Sequence, residues 1–238
     1  MRFMDKWANS ENIKIHYLES ADYDKSLTPL VYVPGALNFA EQSTDFLGKI
    51  KARKCITMSL RGRGKSNAPK RGYSFNDHVK DLHAVISDSK VKNYCLMAYS
   101  MGVPYAIKFA SEQPNIKGLI ICDYPAKYPL IPETWSDRIL SRGYLNEERK
   151  HVVTGIQTES SHIDLYSELS LINVPVLIIK GGTDGSLLKG LEIEKYKNSL
   201  KDINVIEIAN SGHELWEPDI NKFLQIITDY LRKLDSSS

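Results

Sequence analysis

Short, nearly continuous apolar runs alternate along this chain with longer segments in which apolar residues recur every three or four positions. Leu30-Val31-Tyr32-Val33, Cys55-Ile56-Thr57-Met58, Tyr94-Cys95-Leu96-Met97-Ala98, Leu119-Ile120-Ile121-Cys122, Val176-Leu177-Ile178-Ile179 and Val205-Ile206-Glu207-Ile208 are such runs. Their length suits strands buried on both faces. Residues 13–18 alternate instead and predict an early antiparallel strand. Val79, Leu82 and Ile86 form one helical stripe, and Val103, Ala106, Ile107 and Ala110 form another. Ile220, Phe223, Leu224, Ile227 and Leu231 predict a final helix, with Pro218 near its start. Strands that alternate with helices require crossover connections. The pattern therefore predicts an α/β fold with a mostly parallel central sheet flanked by helices.

One interval breaks the rhythm. From 124 to 173 no good strand appears, and Pro125, Pro129 and Pro132 punctuate its start. Residues 134–141 and 146–153 predict short helices. The chain thus divides into a core domain of residues 1–123 and 174–238 and a small helical cap, or lid, of residues 124–173.

Composition narrows the partners. The 238 residues carry 31 Lys+Arg against 29 Asp+Glu, a formal charge of +2. That near balance argues against nucleic acid, and no run reaches the roughly 18 apolar residues of a membrane span. Cys55, Cys95 and Cys122 each sit in an apolar run and read as buried free thiols, as in a reducing compartment. The first residues lack a signal-peptide pattern, so the expected location is cytoplasmic. Oligomeric state is not legible.

Candidate chemistry gathers at strand ends. Ala98-Tyr99-Ser100-Met101-Gly102 follows an apolar run and precedes a helical stripe. A small-x-Ser-x-Gly sequence at a strand-to-helix turn is a nucleophile elbow; its plainer reading is a serine in a tight turn. Small residues are needed because the serine backbone is strained and other chain passes close. A serine nucleophile needs a base, and the base an orienting acid. Gly181-Gly182-Thr183-Asp184 follows one later strand, and Asn210-Ser211-Gly212-His213 follows the next. In a parallel sheet those ends share one edge, where ligands bind.

In these segments the sequence resembles the α/β-hydrolase superfamily of serine hydrolases, over nearly the whole chain. Ala98 to Gly102 is similar to the family elbow, with Ala98 for the usual first glycine. Gly181-Gly182-Thr183-Asp184 resembles the acid loop and Gly212-His213 the base loop. Pro34-Gly35-Ala36 resembles the oxyanion loop, with Pro34 replacing histidine, and Leu60 to Ser66 resembles a further family loop. The resemblance implies Ser100 as nucleophile, His213 as general base and acid, and Asp184 as orienter. It also implies the N–H groups of Ala36 and Met101 as oxyanion hole. Asp123, ending the strand at 119–122, is the rival acid; otherwise it caps the start of the insertion. The 181–184 loop fits the family pattern better.

The implied activity is cleavage of a small to medium ester, thioester or lactone through an acyl-enzyme, without cofactor or metal. Serine at 100 disfavours the carbon–halogen and epoxide chemistry of members with aspartate there. Carbon–carbon hydrolase, perhydrolase or lyase chemistry on the same residues stays open, as does a ligand receptor without turnover. Leu37, Tyr99, Tyr128, Trp135 and Trp216 are candidates to line the substrate pocket. Aromatic and aliphatic residues of 124–173, Tyr144 among them, either line an acyl pocket or pack the cap on the core.

Residues 49–71 hold nine cations and no acid, leaving −7 for the remainder. These are a solvated segment, or Arg61, Arg63 and Lys65 edge the cleft and attract an anionic or carrier-bound substrate. Two motif fragments fail. Gly64-Lys65-Ser66 lacks the first glycine of a phosphate loop, which would fall at Ser59, and His213-Glu214-Leu215-Trp216-Glu217 lacks the second histidine of a zinc helix. His16, His78, His83, His151 and His162 read as unpaired surface or packing residues.

Overall fold

Alternate side chains of a strand point to opposite sides of a sheet, so a run that is apolar at every position needs cover on both. A computed structural model, describing residues 1–142 and 147–236, shows how that cover is arranged. The chain begins with β1 (Phe3–Ser10), β2 (Ile13–Ser20) and β3 (Leu30–Val33), then a short α1 (Thr44–Leu47) and β4 (Cys55–Met58). Next come α2 (Phe75–Ser89), β5 (Tyr94–Tyr99), α3 (Gly102–Glu112) and β6 (Ile116–Cys122). A less regular stretch holds β7 (Lys127–Tyr128), α4 (Glu133–Ser141), α5 (Lys150–Thr158) and β8 (Ile163–Asp164). The last elements are β9 (Val176–Gly181), α6 (Gly190–Ser199), β10 (Ile203–Ile208) and α7 (Ile220–Ser236).

Eight strands form one sheet in the order β1-β2-β4-β3-β5-β6-β9-β10, antiparallel at β1-β2-β4 and parallel from β4 onward. Leu96 and Ala98 of β5 enter one core with side chains of α2 and α3. Cys95, Met97 and Tyr99 of the same strand enter a second core under α7. The three cysteines are free and buried, and burial pushes the Cys55 thiol up to about 12. Ser74 opens α2 with a capping box shared with Asp77, and Asp219 accepts from the first free N–H groups of α7.

The segment after β6 lies over the α2–α3 side of the sheet. Its α4 and α5 occupy the positions where helices were expected, but the α5 turn follows a short 3-10 turn, and residues 143–146, with Tyr144, lie outside the described residues. It also pairs two short strands, β7 with β8, in an interval whose sequence predicts none. Val152 and Ile156 of α5 join the core below, and Glu159 accepts from the N–H groups of Gly72 and Tyr73 at 2.7–3.1 Å. Among the described residues no helix is long and apolar enough to cross a membrane.

Candidate active site

Ser100 directly follows β5 with φ of 53°, a left-handed conformation that a serine adopts only where the surroundings impose it. Two glycines allow it. A Cβ on Gly102 would stand 2.5 Å from the Pro34 carbonyl oxygen, and one on Gly35 would stand 3.1 Å from Ser100 Cβ. The elbow and the 34–36 loop are therefore in contact, and Met101 stands at the N-terminus of α3.

His213 follows β10 and brings its ring between two partners. Its Nε2 lies 2.9 Å from Ser100 Oγ and its Nδ1 lies 2.9 Å from Asp123 Oδ2. A carboxylate only accepts, so Nδ1 carries the proton and Nε2 is free to accept from the serine hydroxyl. The Tyr99 ring stacks on the imidazole, centroids 4.8 Å apart, and meets Trp216 edge-on.

The carboxylate on His213 is thus Asp123, which corrects the expectation of Asp184. Asp123 extends β6 by one residue, its N–H bonded to the Ile179 carbonyl, and its side chain is fully buried. Asp184 is exposed on the outside of its loop, where its carbonyl accepts from Lys189 Nζ. The loop resembling an acid loop supplies donors instead. Gly181 N–H and Ser186 Oγ reach Asp123 Oδ1, and Leu187 N–H reaches Oδ2. Burial alone would raise the Asp123 pKa; the hydrogen bonds from His213, Ser186, Leu187 and Gly181 overcome it and hold the group below the ordinary carboxylate value. A readable signal existed: an aspartate directly after the buried strand beside the nucleophile strand.

Other expected site residues separate. Tyr99 and Trp216 line a cavity of about 320 Å³ with Asn38, Phe46 and Phe223. Asn38 of that wall was not foreseen; its Oδ1 lies within 3.0 Å of where a Gly35 Cβ would be. Leu37 and Trp135 are half-buried and packed on the α2–α3 core. Tyr128 is fully buried between Phe75 and Tyr105, so it packs the interior and does not face an open cleft.

Four of the nine cations of the basic segment, Arg53, Lys54, Arg61 and Lys65, have carboxylate partners. Arg61 is clamped by buried Asp81 at 2.7–3.1 Å, with Asp77 at 3.3 Å, and Lys65 bonds Asp5 at 2.5 Å. Asp5, His16 and Glu41 form the one metal-like group found among the described residues, and the Lys65 ammonium already supplies its cation. His16 and His78, expected to be unpaired, are bonded to Asp5 and Arg63.

The profile of a family described as serine aminopeptidase, S33, matches residues 41–131. N-formylmaleamate deformylase of Pseudomonas putida is 23% identical, the match covering 94% of each chain. A haloalkane dehalogenase of Bradyrhizobium diazoefficiens is 33% identical over 35% of this chain and 26% of its own. The solved structure of an esterase from Exiguobacterium antarcticum superposes with a TM-score of 0.79 at 18% identity, covering 96% of this chain and all of the other. The chain has the α/β-hydrolase fold. These likenesses support a hydrolase, and relatives of such different chemistry leave the kind of reaction to the site itself.

Proposed function

We propose that this protein is a serine hydrolase of the α/β-hydrolase superfamily, acting on a small to medium ester, thioester or lactone. The observation that carries the reading is the continuous hydrogen-bonded series Ser100 Oγ–His213 Nε2 and His213 Nδ1–Asp123 Oδ2. As Ser100 Oγ attacks the carbonyl carbon, its proton passes to His213 Nε2, and Asp123 stabilises the imidazolium. The N–H groups of Ala36 and Met101 receive the oxyanion. Collapse expels the alcohol, thiol or ring oxygen, which takes the proton from His213. Water then gives a proton to His213, attacks the acyl carbon, and frees the acid and Ser100. Residues 124–173 act as a lid over that chemistry.

A second reading has its own support. The full-length likeness to a deformylase named for an N-formyl compound favours cleavage of an activated N-acyl bond by the same series. Purified protein is assayed on p-nitrophenyl esters of graded chain length beside a thioester, a lactone and an N-formyl amide. Continuous turnover that Ser100→Ala abolishes is expected. Labelling of Ser100 by a fluorophosphonate without turnover on any acyl compound would overturn the proposal and favour a ligand receptor.

A further inference from the structure

The ends of β3 and β5, α1 and the start of α7 supply the wall of the 320 Å³ cavity, and five of its side chains are aromatic: Tyr32, Phe46, Tyr99, Trp216 and Phe223. They meet at steep angles. Tyr32 and Phe46 are edge to face with centroids 5.0 Å apart, as are Tyr99 and Trp216 at 5.0 Å, and Trp216 lies 6.3 Å from Phe223. Rings set so make the corners of a box rather than a flat stack.

The box adjoins the catalytic series. Asn38 Oδ1 and Tyr99 Cδ1, both of wall residues, and Ser100 Cβ all lie 3.0–3.3 Å from where a Gly35 Cβ would stand. Tyr99 is the shared wall, since its ring also stacks on His213.

The charges around it have one sign. Among the described residues of the wall, Asp45 is the one carboxylate, and there is no Lys, Arg or His. The turn that brings Trp216 to this cavity sets Glu214 and Glu217 on a second hollow with His213, which also holds no Lys or Arg. Tyr32 and Tyr99 stay neutral, because burial pushes both phenols up and Glu214 adds to it at Tyr99. Such a wall repels an anion. A metal ion asks for several oxygen ligands, whereas this wall is mainly hydrocarbon. Aromatic rings instead attract an organic cation, whose charge is spread on hydrocarbon.

We propose that this cavity binds a small organic cation of the methylated-ammonium class, held among the five rings with Asp45 as its counter-charge. A volume of about 320 Å³ is at the small end of ligand sites, which suits a trimethylammonium group on a short chain. This binding goes beyond the proposed hydrolysis and does not depend on it.

The test is calorimetric titration of the purified protein with choline and with neohexyl alcohol, in which carbon replaces the charged nitrogen, at constant ionic strength. Saturable choline binding is expected, at least about tenfold tighter than the alcohol. Choline should also change the tryptophan fluorescence, and Trp216→Phe should abolish that change while calorimetric binding persists. Phe46→Leu should weaken choline about fivefold. Asp45→Asn should weaken it about threefold at low salt, and because Asp45 is exposed this variant preserves the test where Phe46→Leu fails to fold. Equal affinity for the alcohol would overturn the proposal, leaving an apolar cavity without charge preference. So would the absence of saturable choline binding, or choline binding at low salt that Asp45→Asn leaves unchanged.

Discussion

Asp123 touches four donors and Asp184 touches solvent, and that contrast assigns their consequences. Asp123→Asn cannot hold the His213 proton on Nδ1, so kcat should fall by about 10⁴ with a small change in KM. Asp184→Asn should leave kcat within about twofold. Steady-state kinetics on one activated ester compares them; the reverse ranking would return the acid to the 181–184 loop. Asp123 also carries a pH dependence. Its folded pKa is depressed, so its contribution to stability is present above the ordinary value near 3.8 and is lost as pH falls below it. Denaturation from pH 6 to pH 3 should show a smaller acid loss in Asp123→Asn than in the wild type.

Elements are fixed to one another by a few contacts of this kind. Arg53 joins β4's approach to the end of α7 through Asp235, and also bonds the Thr28 carbonyl. Burial would raise Asp235, but the Arg53 and Thr28 hydrogen bonds bring its pKa down to about 2. Asp235→Asn should cost about 1–2 kcal/mol at pH 7, discounting for partial exposure, with the difference vanishing between pH 4 and pH 2. Urea denaturation across that range checks it. At the elbow, Gly102→Ala places a methyl group against the Val33 and Pro34 carbonyls, which are backbone and cannot turn aside. Lower Tm and lost activity should appear together. Strands buried on both sides were legible because every position had to be apolar. β1 was not, since it pairs only with β2 and leaves Asp5, Lys6 and Trp7 exposed. α6 escaped for a similar reason, burying only Ile193 and Tyr196.

The segment over the sheet is tied to the rest of the molecule by identifiable bonds. Glu159 grips Gly72 and Tyr73, and Arg149 Nη1 donates to the Gly62 carbonyl at 2.8 Å. If these residues form a lid, Glu159→Ala should speed hydrogen exchange in α5 before β5 or β6, and raise KM more than it lowers kcat. Exchange measured by mass spectrometry, beside kinetics, tests both parts; uniform acceleration would mean a general loss of stability. Local pattern sufficed for the α/β layout, the elbow at Ser100 and the loop of His213, because each is written in neighbouring residues as apolar period and turn chemistry. The partner of His213 and the neutralisation of Arg61 and Lys65 were settled only when the chain folded. A carboxylate's role depends on which donors and charges surround it, and here those come from strands far apart in sequence that the sheet brings side by side.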